Sequence, residues 1–407
     1  MKKLLFLPVL LLLVFTSCEQ EEDTGPYSIV AIPVTQTVEK FRSSVKIMEP
    51  RFIKESGKIY AWENYVFIND KSEGIHIIDN TYSKNPVKIK FLSIPGNTDI
   101  AIRNNKLYAN QGMDLVVFDI SDIENITEIN RIEDVFPDYY YITPAGVHYV
   151  DFKNFDPQTQ VIVGYYTEKR KIDHTTSDPR LLDAVSTAEG NRGTGGSMAA
   201  FSIVGDHLYV IDEAFLNAFD ISSPDNPSKT SEAYVGWRTE TIFNYEDHLY
   251  IGSATGMYIY DLVDPSQPAK VSFLQHVLGC DPVVVKGNYA YVTIRGGNTC
   301  EQNFNQLDIV DISDKSNPQI ANSYEMTNPY GLGIKDDWLF VCDGSAGLKV
   351  FDIKDTPGLN LIDQFTHINT YDVIPLEDKL LMVGDNTLSQ YSYKGNEISL
   401  ISSFSLN

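Results

Sequence analysis

"QLDIVDISDKSNPQ", residues 306–319, sets three aspartates at three-residue intervals: Asp308, Asp311 and Asp314. That spacing suits either a metal-binding loop or a turn in a repeated scaffold, and the choice decides the fold. Comparison of the chain with itself favours the scaffold. "LDIVDIS" (307–313) recurs as "IHIIDNT" (75–81), "LVVFDIS" (115–121), "LNAFDIS" (216–222), "MYIYDLV" (257–263) and "LKVFDIK" (348–354), with a divergent seventh copy, "LSQYSYK" (388–394). The copies alternate side chains at period two, which predicts strands. Asp311 recurs as Asp79, Asp119, Asp220, Asp261 and Asp352, and Asp314 as Asp122, Asp264 and Asp355. Asp308 is private to its copy. A calcium loop needs denser oxygens and a glycine, in the pattern D-x-[DN]-x-[DN]-G. A short carboxylate at a strand end instead accepts backbone N–H bonds and fixes a turn.

A second motif precedes each copy. Pairs rich in Asn, Asp and Gly separate two apolar runs: Glu63-Asn64, Asn104-Asn105, Gly205-Asp206, Glu246-Asp247, Gly287-Asn288, Asp336-Asp337 and Glu377-Asp378. This is β-hairpin chemistry. Asn64 to Asn105, Asp206 to Asp247, Asp247 to Asn288 and Asp337 to Asp378 are each 41 residues apart. Asn288 to Asp337 is eight residues longer, and Asn105 to Asp206 sixty longer. In the second copy the strands fall at 99–103 (A), 106–110 (B), 114–120 (C) and 126–132 (D). The expected fold is therefore all-β, a seven-bladed β-propeller of about 41-residue, four-stranded blades. Either "EISLISSFSL" (397–406) or "SVKIMEP" (44–50) is the outer strand that locks the ring.

The strings "LDIVDIS" and "LVVFDIS" resemble the LVIVD repeat family of bacterial propeller proteins. The resemblance covers about residues 57–407 apart from the insertion, and it implies the fold without implying an activity.

Loops D–A and B–C share one face of such a ring, the top. The sixty extra residues, 135–197, lie in a D–A connection, and the eight extra in a B–C loop, "RGGNTCEQNFNQ" (295–306). Both fall on the top, where a rigid scaffold usually carries binding. Within the insertion, "DYYYI" (138–142) and "VIVGYYT" (161–167) suggest a protruding hairpin. Its Tyr139, Tyr140, Tyr141, Tyr165 and Tyr166 suit stacking on a sugar or peptide, or packing of the insertion onto the rim.

The N-terminus, "MKKLLFLPVLLLLVFTSC", has Lys2 and Lys3 before a 12-residue apolar run, Leu4 to Phe15. That is short of the roughly 20 residues of a membrane span and fits a secretory signal. "FTSC" resembles a bacterial lipoprotein signal, with Cys18 as the lipidated N-terminus. Residues 1–17 are then the signal peptide, 18–40 an acidic flexible tether opening with "EQEEDTGP", and 41–407 the propeller. The acidic run resembles the surface-export tag of Bacteroidetes lipoproteins. Fatty acyl chains such as palmitate anchor firmly, at roughly 0.8 kcal/mol per buried CH₂. The expected location is the cell envelope, lipid-anchored to the outer membrane, periplasmic or surface-exposed.

The formal charge of -23 disfavours a nucleic-acid or anionic-lipid surface. Four acids open A strands: Asp99, Glu240, Asp281 and Asp372. They compose either a cation-binding ring at the channel mouth, with calcium as the ion, or solvated turn residues. Neither a zinc motif nor a nucleophile elbow is present, so no catalytic residue or organic cofactor is indicated. Two functions remain: a non-catalytic binding or scaffold module for a protein or glycan partner in the envelope, or a secreted hydrolase or lyase acting on a glycan or lactone at the top-face pocket.

After Cys18, three cysteines remain. Cys280 lies in a D–A connection and Cys300 in the B–C insertion of the same repeat, both on the top face, whereas Cys342 lies in a B strand. An exported chain meets an oxidising compartment, so a Cys280–Cys300 disulfide is expected. It would contribute about 3 kcal/mol by loop entropy. Non-reducing peptide mapping of envelope-purified protein should yield the cross-linked peptide; three free thiols would refute the face assignment.

Overall fold

The computed structural model describes residues 27–136, 143–144, 146–171, 181–183 (backbone), 199–275, 282–296, 305–394 and 397–407. The first described strand is β1 (Tyr27–Thr37), followed by helix α1 (Val38–Arg42) and β2 (Lys46–Met48). The first repeat contributes β3 (Ser56–Trp62), β4 (Tyr65–Asp70), β5 (Gly74–Asp79) and β6 (Val87–Ser93). The second contributes β7 (Ile100–Arg103), β8 (Lys106–Gln111), β9 (Asp114–Asp119) and β10 (Thr127–Ile132). The insertion holds β11 (Tyr149–Asp151), β12 (Gln160–Lys171) and β13 (Leu181–Asp183). The third repeat is β14 (Phe201–Val204), β15 (His207–Asp212), β16 (Phe215–Asp220) and β17 (Ser228–Tyr234); the fourth is β18 (Thr239–Tyr245), β19 (His248–Ser253), β20 (Gly256–Asp261) and β21 (Ala269–Gln275). The fifth is β22 (Val283–Lys286), β23 (Tyr289–Arg295), β24 (Asn305–Asp311) and β25 (Gln319–Glu325). The sixth is β26 (Leu332–Lys335), β27 (Trp338–Cys342), β28 (Leu348–Asp352) and β29 (Asn360–Phe365). The last is β30 (Asp372–Pro375), β31 (Lys379–Gly384), β32 (Thr387–Lys394) and β33 (Glu397–Ser405). Each repeat forms one antiparallel meander sheet.

The turn chemistry explains the meanders. The first residue of the A–B turn is left-handed at Glu63, Asn104, Gly205, Glu246, Gly287 and Asp336, with φ between 51° and 58°. Such turns match the right-handed twist of the flanking strands. The aspartates of the opening motif sit at the opposite ends of the strands. Asp311 accepts from Ser313 N at 2.9 Å and Asp314 from Ser316 N at 3.0 Å. Asp79, Asp119, Asp220, Asp261 and Asp352 repeat the first bond to the residue two positions on. Hydrogen bonding by Ser313 and Ser316 holds the Asp311 and Asp314 carboxyls below the usual range. Asp308 is buried and accepts from Gln306 Nε2 at 2.9 Å and Ser323 Oγ at 2.6 Å. All three aspartates are scaffold.

The apolar cores lie between neighbouring sheets. Phe67, Ile75 and Leu92 of the first sheet pack on Leu107 and Val116 of the second, and the pattern continues sheet by sheet. Ile59 and Ile68 of the first sheet meet Leu381, Leu388 and Leu406 of the last. The innermost strands follow the same order, and β30 touches β3. The last-to-first junction carries a reciprocal amide pair: Asn80 Nδ2 donates to Gln390 Oε1 at 3.0 Å, and Gln390 Nε2 to Asn80 Oδ1 at 2.7 Å. Lys88 Nζ reaches Leu406 O at 2.9 Å. Neither expected locking strand is exchanged between repeats. The strand β33 stays in its own sheet, and β2, within "SVKIMEP", is a fifth strand outside β6.

An eighth sheet, in the order β12-β1-β11-β13, has no counterpart in the repeats. It corrects two expectations. The tether assigned to 18–40 ends by Tyr27, because the apolar run Ile29 to Val34 pairs along β12 and buries Val30 and Ala31. The 161–167 segment expected in a hairpin of the insertion lies in β12, whose partner among the described residues is β1.

Candidate functional site: a cleft on the top face

Three of the four acids read from the sequence, Asp99, Glu240 and Asp372, lie among the described residues, each in a different repeat. Asp99 is buried, with Lys58 Nζ 2.9 Å from its Oδ1. Asp99 Oδ2 also accepts from Ala200 N at 2.6 Å and Phe201 N at 3.0 Å, so one carboxylate ties three consecutive repeats together. Burial pushes the Asp99 carboxyl up, while Lys58 and the backbone donors pull it down. Lys58 lies 41 residues before Asp99, in the same repeat column, so opposite charges in one column were a readable signal. Asp372 is buried at the start of β30, Glu240 is half-buried in β18, and Asp281 lies outside the described residues. Among the described residues no three His, Cys, Asp or Glu side chains converge as a metal site. Tyr166 is exposed and Tyr165 half-buried on β12; burial pushes the Tyr165 hydroxyl up. Tyr139, Tyr140, Tyr141, Cys18, Cys280 and Cys300 lie outside the described residues. Cys342 is a buried free thiol in β27, and burial pushes it up.

The feature missed in the sequence is a clamp from α1 to the second repeat. Arg42 grips the buried Asp114 with two nitrogens, Nε to Oδ2 at 2.8 Å and Nη2 to Oδ1 at 2.9 Å. It also pairs with Glu133 and Asp134, each at 2.8 Å. Arg131 joins Asp114 from β10 at 2.8 Å, and Asp134 N caps it at 3.0 Å. Hydrogen bonding by Asp114 holds the Arg42 guanidinium above its ordinary value. Gln111 Nε2 donates to Phe41 O at 2.6 Å and holds the helix end. Asp114 follows a B–C turn, and Glu133 and Asp134 open a D–A loop, so α1 sits on the top face. Arg42 belongs to no repeat column, and 72 residues separate it from Asp114.

The clamp leaves a cleft of about 260 Å³ between the N-terminal segment and the rim of the first repeat. Gln36, Phe41 and Ser44 face it from one side, with Val163 of β12, and Ser72, Glu73, Ser93, Pro95 and Gly96 from the other. Behind Glu73 stands a buried polar group. Arg51 Nη2 reaches Glu73 at 2.9 Å and Asp70 at 3.0 Å, and its guanidinium lies 3.8 Å from the Phe91 ring centre. Lys54 Nζ is 2.7 Å from Glu73. Burial opposes ionisation of Glu73, yet Lys54 and Arg51 hold its carboxyl below the usual range. His76 Nε2 lies 3.2 Å from Asp70, and burial pushes the imidazole down despite that carboxylate.

Packed four-stranded meanders with cores between them define an all-β repeat protein of propeller-like architecture. The chain carries LVIVD repeats: the LVIVD repeat matches residues 55–82, 96–134 and 280–326. No curated protein matches the chain by sequence. Among solved structures, a functionally unknown protein from Desulfotomaculum acetoxidans is similar at TM-score 0.54 and 11% identity, over 83% of this chain and 95% of that one. The computationally designed Ika8 protein is similar at TM-score 0.53 and 9% identity, over 86% and 88% of the two chains. Saccharomyces cerevisiae Sqt1 is similar at TM-score 0.53 and 7% identity, over 87% and 86%. At these identities the likeness shows the fold alone.

The Lys58–Asp99 pair carries a prediction that separates ion pair from cation ring. Lys58→Met leaves a buried carboxylate without its cation and should destabilise by about 3 kcal/mol in urea unfolding. Adding Asp99→Asn should restore part of that loss. A neutral Lys58→Met, together with stabilisation of the wild type by calcium that Asp99→Asn abolishes, would return Asp99 to the cation ring.

Proposed function

We propose that this protein is a cell-envelope lipoprotein, anchored to the outer membrane through Cys18, and that its seven repeat sheets are the blades of one propeller. Its role is that of a binding or scaffold module working through the top face. Two features support the ring: seven inter-sheet cores follow one another, and the last meets the first. One observation carries the binding role. The N-terminal segment, the insertion strands and α1 assemble on the top rim and enclose a cleft there. The bottom C–D turns satisfy themselves through repeated aspartates. Elaboration confined to one rim of a rigid scaffold is how such folds present a binding surface.

The test uses a photo-crosslinking amino acid placed in intact cells. Trp237, 56% exposed on a D–A loop, and Tyr166, 53% exposed on β12, report on the top; Val263, 89% exposed on a C–D turn, reports on the bottom. Adducts with envelope protein or glycan should form from Trp237 or Tyr166 and not from Val263. Adducts from Val263 alone, or from none of the three, would overturn the reading.

A further inference from the structure

The cleft is specific enough to name a ligand class, and this step rests on the top-face reading above. Its size is the first constraint. About 260 Å³ lies just below the usual range for small-molecule pockets, roughly 300–1,000 Å³. That admits one ring or a comparably short unit, and excludes a folded protein element.

Charge is the second constraint. Among the described residues Glu73 is the one ionisable side chain on the lining, and Arg51 and Lys54 already hold its carboxylate. A cationic ligand would have to compete with two cations in place. An anionic ligand would meet a carboxylate at the wall and a chain of net charge -23 around it. The cleft therefore favours a neutral guest.

Hydrogen-bonding capacity is the third. Ser44 Oγ is engaged, donating to Phe41 O and accepting from Gln111. Ser72, Ser93 and Gln36 line the same space, and their side chains have no hydrogen-bond partner among the described residues. Hydroxyls and amides both donate and accept, so they match groups that do the same. Gln111 Oε1, directly behind Phe41 and Ser44, is a buried acceptor without a partner among the described residues. Phe41, Pro95 and Val163 add apolar wall for C–H faces.

We infer that this cleft binds a neutral, hydroxyl-rich ring, a single unsubstituted saccharide unit of a larger glycan, between α1 and the rim of the first repeat. Hydroxyls of the guest meet Ser72, Ser93 and Gln36, and its C–H face meets Phe41 and Pro95.

The test is a glycan microarray of neutral, sialylated and sulfated glycans, probed with the soluble chain from residue 19 onward and followed by calorimetry on the best neutral hit. Two variants at Ser93 separate chemistry from folding. Ser93→Ala removes one hydroxyl without adding volume and should weaken binding about fivefold. Ser93→Phe fills the cleft and should abolish binding, with the circular dichroism spectrum unchanged. Asp264→Ala, on a bottom turn, should bind as wild type. Preference for sialylated or sulfated glycans, absence of any neutral hit, or wild-type affinity in a folded Ser93→Phe would each overturn the ligand class. Top-face crosslinking to an envelope protein alongside an empty array would overturn this inference and leave the binding-module reading standing. Empty crosslinking would overturn both.

Discussion

Asp114 is the carboxylate on which the upper face depends. It is fully buried, and a buried carboxylate is tolerated when cations and N–H donors surround it. Arg42, Arg131 and Asp134 N supply them, and in doing so bind α1, β10 and a D–A loop into one unit. The same device recurs in other repeats. Asp70 accepts from Lys54 N and Glu55 N, with Arg51 and His76 beside it. Asp343 accepts from Thr327 N and Asn328 N, with Lys349 at 2.7 Å. Each buried acid takes the orphan N–H groups of a top loop and a cation from outside the turn.

The two faces are therefore built on different physics. Bottom turns are local: a half-buried aspartate bonds the N–H two residues on, and its loss should cost little. The top loops at Asp70, Asp114 and Asp343 instead rely on a desolvated charge, and for Asp114 the partner Arg42 lies 72 residues away. Removing one partner of such a group is expensive, several kcal/mol in typical cases. The buried acids fix the loops of the upper rim, while β1 with β12 and β2 with β6 pair along the two walls of the cleft.

The division also explains what could be read in advance. Period, turn pairs and the repeated Asp311 column are local signals, and the strands of the second repeat were placed within about a residue of their observed ends. The Lys58–Asp99 pair was legible in principle through its shared column, but attention to acids alone suggested either a cation ring or solvated turn residues. The strand β1 was hidden by the acidic run before it, which made the whole segment read as tether. The Arg42–Asp114 clamp carried no sequence signal, because Arg42 belongs to no repeat. The cleft follows from that clamp and was equally unreadable. The insertion tyrosines were named either for stacking on a ligand or for packing onto the rim, and Tyr165 and Tyr166 lie on a strand whose partner among the described residues is β1.

The most direct measurement is amide hydrogen exchange, comparing wild type with Arg42→Gln. Exchange reports the stability of each segment separately. If the clamp holds the N-terminal segment on the rim, amides of β1, α1 and β2 should lose protection in the variant, while those of β15, β19, β23 and β27 keep theirs. Unchanged protection of residues 27–48, or loss of protection throughout the repeats, would contradict the account.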